Sequence, residues 1–196
     1  MTVHIINTHL TYPNWTEGRL NAAMATVAKE HFESQGQEVT FTKVEDAYDP
    51  AIEERHHLAA DLVILQTPIN WFGAPWIYKK YVDEVFNAGL ASQSFLANDG
   101  RNAEDPSRQY GTGGHMGGKK FFIAATWNAP KATFDNPESV LFAGKTVDDL
   151  LLNISSNYKF TGFDVLPSFG IYDIFRDQAI DKRLEEYKEY LAALTV

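Results

Sequence analysis

The chain of 196 residues contains no cysteine. That removes disulfides, thiolate metal sites and cysteine nucleophiles together, and it fits a reducing cytoplasm as the expected location. Basic charge is also scarce. A formal net charge of −9 leaves no positive surface for nucleic-acid phosphates or for an anionic membrane. A local anion site stays open, because backbone amides can build one without lysine. No stretch approaches ~18 consecutive apolar residues, so no membrane span is expected. The opening MTVHIINTH lacks the basic-then-apolar order of a secretory signal.

Several catalytic signatures are missing as well. Without GxGxxG, a dinucleotide-binding Rossmann reading is weak, and without GxxxxGK[ST] a P-loop is excluded. No GxSxG elbow supports an α/β-hydrolase. No histidine spacing resembles a metal motif, so no metal site is expected. His4 reads as structural, and the adjacent His56 and His57 read as solvated on a helix. His9 and His115 fall on loops at the presumed binding edge.

The hydrophobic share of 44% supplies a core for one domain spanning residues 1–196. Strand-like and helix-like segments alternate along it. Strands are expected at 3–7, 38–44, 61–67, 120–127 and 163–169. Helices are expected at 18–34, 51–60, 74–86, 146–157 and 176–194. The apolar run DLVILQT, with no alternation, suits a strand covered on both faces. This order implies a flavodoxin-like three-layer α/β/α fold, with a five-stranded parallel sheet in the order 2-1-3-4-5. Ligands in such sheets bind beyond the carboxyl ends of the strands, here at the loops after residues 7, 67 and 127. A long insertion before the fourth strand, 88–118, is rich in Gly, Asp, Asn and Pro. It is either a surface insertion or a segment that holds Tyr110 against a ligand.

The three loops carry distinct chemistry. In THLTYPNWTEGRLN, Thr8, Thr11, Asn14 and Thr16 precede a helix and serve either as caps or as an anion cradle. In PINWFGAPW, Pro68 and Pro75 stiffen the chain and Gly73 relaxes it. Trp71 suits stacking on a flat ligand, whereas Trp76 reads as core, or as an anchor of its helix to a partner subunit. In ATWNAP, Thr126 and Asn128 bring donors and Trp127 an aromatic face. Backbone amides of this stiff loop would stabilise negative charge at the pyrimidine edge of a reduced flavin.

Three stretches, PINWFGAPWIYKKYVDEVF, LANDGR…DPSRQYGTGG…GKKFF and TWNAP, resemble the modulator-of-drug-activity-B family of FAD-dependent NADPH:quinone reductases. The match covers much of residues 61–130 and extends to LPSF near residue 168. The resemblance implies FAD in preference to FMN, NADPH or NADH as electron donor, a quinone as acceptor, and a homodimer whose site is shared between subunits. It further implies that Thr16, Gly18, Leu20 and Asn21 hold the pyrophosphate. Pro68, Ile69, Asn70, Trp71 and Phe72 would bind the isoalloxazine. Tyr110 would touch the flavin, and Thr126, Trp127, Asn128 and Ala129 would line its pyrimidine edge. The expected chemistry is a two-electron hydride relay through flavin N5 with ping-pong kinetics, and Tyr110 and His115 are the candidate catalytic proton donors. The alternatives on the same fold are a flavodoxin-type FMN electron carrier, a reductase of azo- or nitro-aromatics, and a binding module without enzymatic activity.

Overall fold

The computed structural model describes residues 1–177 and 179–194. Strands β1 (Thr2–Asn7), β2 (Glu38–Lys43), β3 (Leu62–Pro68) and β4 (Lys120–Thr126) pair in parallel in the order β2-β1-β3-β4. The expected fifth strand is two short strands, β5 (Asp164–Val165) and β6 (Phe169–Ile171), and both pair with β4. Pro167 lies at the break. It has no N–H for a ladder, and the amide of Ser168 turns instead to Asp148 Oδ1 at 3.1 Å.

The helices are α1 (Arg19–Ser34), α2 (Pro50–Ala59), α3 (Trp76–Ala91), α4 (Val147–Leu150), α5 (Leu152–Thr161) and α6 (Ile180–Ala193). Strand alternation sorts the core into two layers. Val3, Ile5, Leu62, Ile64, Phe122 and Ala124 pack with Met24 and Phe32 of α1 and Tyr187 and Leu191 of α6. Ile6, Val63, Leu65, Phe121 and Ile123 pack with Tyr81 and Val85 of α3 and Tyr158 of α5. All residues of β3 are buried, which explains its apolar run Leu62–Leu65 without polar alternation. No helix among the described residues is long and apolar enough to cross a membrane.

Two expectations about side chains are overturned here. His57 is completely buried beneath α2, with Nδ1 against the carbonyl of Glu53 at 2.9 Å, and His56 is half-buried. Trp76, read as core, is 65% exposed at the start of α3.

The segment between α3 and β4 is fastened at both ends. Phe95 and Leu96 are buried at its start and Met116 at its finish. Its far end lies at the amino edge of the sheet. Lys119 Nζ donates to the carbonyls of Leu58 and Ala60, just before β3, and the Met116 amide donates to Thr161 O, just before β5.

Candidate flavin site

The carboxyl ends of β1, β3 and β4 open onto a cavity of about 300 Å³. Of the residues expected there, Thr16, Gly18, Leu20, Asn21, Pro68, Ile69, Asn70, Trp71, Thr126 and Asn128 line it. It adjoins a larger hollow of about 770 Å³ through shared walls at Trp15, Thr16, Gly18, Leu20 and Phe175.

The first wall is built by the loop after β1. A short antiparallel bridge between Tyr12 and Thr16 closes that loop, with paired backbone hydrogen bonds of 3.0 and 3.1 Å. Glu45 braces it from β2. It accepts from the Thr11 amide at 2.6 Å and the Thr11 hydroxyl at 3.0 Å, and its carboxylate lies 2.8 Å from Lys43 Nζ. The Lys43 ammonium, followed by the Thr11 amide, pulls the Glu45 carboxyl down to about 2.

Helix α1 then begins at Gly18, not at Thr16. Gly18 adopts φ 72°, no side chain caps the helix, and no acid stands in its first turn. Its first amides are therefore open to an external anion. His9 lies directly behind the turn and is buried, which holds its imidazole below the usual range. A Cβ at residue 18 would fall 2.3 Å from the His9 ring, so glycine is required both for space and for its positive φ.

The second wall is the loop after β3. Asn70 and Gly73 exchange backbone hydrogen bonds of 2.8 and 3.2 Å around a tight turn. Both residues at its tip are left-handed, Trp71 at φ 50° and Phe72 at φ 68°. The sequence places the conformational freedom at Gly73. The structure places the strain on two bulky aromatics instead, an arrangement that clusters at ligand sites. Trp71 is 94% exposed at the cavity mouth. Phe72 leans edge-on against Phe142 at 5.9 Å and does not line the cavity.

The floor is a buried polar chain. Gln66 Nε2 donates to Asn21 Oδ1 at 2.8 Å, and Asn21 Nδ2 donates to Thr126 Oγ1 at 3.2 Å. This chain ties β3, α1 and β4 together directly beneath the opening.

Besides Phe72, four expected residues lie elsewhere. Trp127 is only 2% exposed and packs on Phe134 at 4.9 Å. It continues the inward set Phe121, Ile123, Ala125, so period two alone would have turned it into the core. Ala129 is packed against that same core and does not line the cavity. Tyr110 rests on Phe160 at 5.1 Å, just before β5, with Arg101 over its ring. His115 donates its amide to Phe95 O, and its Nδ1 lies 3.1 Å from Gln93 O. Within one chain, both Tyr110 and His115 thus stand at the amino edge, opposite the cavity. In exchange the structure brings in Trp15, Arg19, Ile174 and Phe175. Ile174 and Phe175 follow β6, whose existence the sequence pattern did not reveal.

Comparison with known proteins agrees with this fold. The family model for the flavodoxin-like fold matches residues 1–194. The chain belongs to the flavodoxin-like fold family. Within that family it is 35% identical over 176 residues to the NADPH:quinone oxidoreductase MdaB of Haemophilus influenzae, covering 90% of each chain. An uncharacterised protein of Schizosaccharomyces pombe is 36% identical over 90% of this chain and 88% of its own. Among solved structures, one titled a putative quinone reductase from Klebsiella pneumoniae superposes with a TM-score of 0.76 at 22% identity, over 98% of this chain and 84% of that one. At that identity the superposition speaks for the fold.

Proposed function

We propose that this protein is an FAD-dependent NAD(P)H:quinone oxidoreductase that takes a nicotinamide donor and a small quinone in turn at one site. One observation carries the reading: an uncapped helix N-terminus, a stiff aromatic ledge and a buried amide–hydroxyl chain converge on a single cavity. The identity with MdaB over most of both chains supports the same activity.

The residues present fit a flavin dinucleotide. Gly18 lets the turn hold its positive φ with the His9 ring packed behind it, and no side chain occupies the first amides of α1. The adjoining hollow of about 770 Å³ gives room for an adenosine half beyond the smaller cavity, which favours FAD over FMN. When bound, the flavin supplies a centre that accepts hydride from the donor and gives it to the acceptor.

This chain's residues then have separable tasks. Thr16, Gly18, Leu20 and Asn21 hold the pyrophosphate through backbone amides and the helix dipole. Pro68, Ile69, Asn70 and Trp71 form the ledge that orients the ring system and keeps water from it. Thr126 and Asn128 present donors where negative charge builds on reduction. Phe72, Trp127 and Ala129 support these loops from behind. With one face serving both substrates, donor product leaves before acceptor binds, so kinetics are ping-pong. Trp71, Phe72, Trp76 and Leu141 leave an exposed apolar rim beside the mouth, which supports a homodimer closing over the site.

The test is direct. Heat-released chromophore is identified, and NADPH and NADH oxidation is followed with menadione and no partner protein. FAD with parallel double-reciprocal plots is expected. FMN without quinone turnover would make the protein an electron carrier instead.

A further inference from the structure

A second polar cluster lies away from the cavity, between the sheet and α2. His4 comes from the middle of β1, and Glu53 and His56 from one face of α2. His4 Nε2 is 3.2 Å from Glu53 Oε2, and His56 Nδ1 is 3.3 Å from Glu53 Oε1. One ligand atom from each residue falls within 4.8 Å of the others. None of the three lines the candidate flavin cavity.

The hydrogen bonding leaves this cluster incomplete. Thr40 Oγ1 lies 2.9 Å from His4 Nδ1 and holds the ring so that its other nitrogen, Nε2, faces the Glu53 carboxylate. Neither His4 Nε2 nor His56 Nδ1 has a hydrogen-bond partner, and both atoms are buried. Buried polar atoms left without a partner are costly, and an ion held between the two imidazoles and the carboxylate would satisfy both nitrogens at once.

We infer that His4, Glu53 and His56 form a binding site for a divalent transition-metal ion of the zinc class. Zinc bonds of ~2.0–2.2 Å in a tetrahedron place neighbouring ligand atoms roughly 3.3–3.5 Å apart, and each imidazole nitrogen already stands near that distance from one Glu53 oxygen, His4 from Oε2 and His56 from Oε1. Two imidazoles and one carboxylate suit zinc or cobalt and do not suit calcium or magnesium, which take oxygen ligands. The outer contacts that orient such ligands are already in place. Thr40 Oγ1 stands 2.9 Å from His4 Nδ1, and Thr42 and Tyr81 donate to the Glu53 oxygens at 2.8 and 2.6 Å. The side chain of His56 is 29% exposed, which gives an ion a way in and leaves a fourth position for water. The bound ion would clasp α2 to β1, on the opposite side of the sheet from α1.

The experiment uses flavin-loaded protein, stripped with a chelator, dialysed, and titrated with zinc by calorimetry. Cobalt absorption serves as a second readout of tetrahedral N/O coordination. The expected result is one zinc per chain, no heat with magnesium or calcium, and cobalt bands of tetrahedral intensity. His56→Ala, at a half-buried position, should weaken zinc binding at least ~10-fold while flavin content stays unchanged. Glu53→Gln should weaken it as well. No stoichiometric binding, or binding that both variants leave intact, would overturn the assignment whatever the flavin turns out to be.

Discussion

Asn21 and Thr126, 105 residues apart in the chain, share a buried hydrogen bond of 3.2 Å that forms the cavity floor. Through Gln66 the same chain reaches β3. Thr126→Val keeps the shape and removes the acceptor, leaving the Asn21 amide short of a partner. Unfolding in urea should show a loss of about 1–3 kcal/mol, with weaker flavin retention. Unchanged stability would mean that water replaces the lost bond.

Gly18→Ala tests the first wall. The new methyl meets the His9 ring at 2.3 Å, and the residue must hold φ 72°. Flavin affinity, measured by fluorescence titration of the apoprotein, should fall at least ~10-fold. Global stability should drop by about 1 kcal/mol or more. His9→Ala in the same background should restore part of the loss by vacating the space.

The two ledge tryptophans are separable. Trp71→Ala should release flavin more readily than Trp76→Ala, because Trp71 lines the cavity and Trp76 does not. Trp71→Gly adds a second readout. It relieves a left-handed backbone at a bulky residue, so unfolding free energy should hold or rise, by up to about 1 kcal/mol, even as flavin is lost. A matched fall in both would mean that Trp71 supports the fold and not the ligand.

Acid sensitivity should follow Glu45. Its carboxyl ordinarily titrates near 4.5 and is held at about 2 in the fold. A group depressed on folding stabilises the native state fully above its unfolded value, and that contribution fades as pH falls toward the folded value. Flavin retention should therefore be level from pH 7 to about 5, and Glu45 should contribute to its decline only below ~4.5. Glu45→Gln should lower retention at neutral pH and flatten the acid limb, as read by flavin fluorescence.

Much of this architecture is legible in the sequence, for physical reasons. Buried parallel strands are dense in β-branched and apolar residues, so β1, β3 and β4 announce themselves. Their order then fixes which loops share an edge, and Asn21, Pro68 and Thr126 do meet there. The fifth strand is harder, because Pro167 divides it into pieces too short to show a period. Burial of His57 was hidden for another reason. Two adjacent histidines look solvated until the aromatic partners Phe86, Phe95 and Tyr158 are brought around the ring from distant segments. The cluster of His4 with Glu53 and His56 joins a strand to a helix about fifty residues later, and no spacing rule spans that gap. Tyr110 is a different case, standing within one chain at the amino edge of the sheet. Flanking polar and glycine residues suggest a binding loop, but they do not say at which end of the sheet the loop is moored.

That mooring has its own consequence. Phe95 presses so closely on Gly89 that a Cβ there would lie 2.4 Å from its ring, while Met116 closes the other end of the segment. Residues between these two anchors form a side chamber of the architecture, sharing no wall with the cavity. Within one chain the exposed run 101–110 can be lengthened without touching the cavity, whereas Gly113 and Gly114, whose Cβ atoms would fall 2.1 Å from the Asn98 and Thr161 backbone, cannot be recoded.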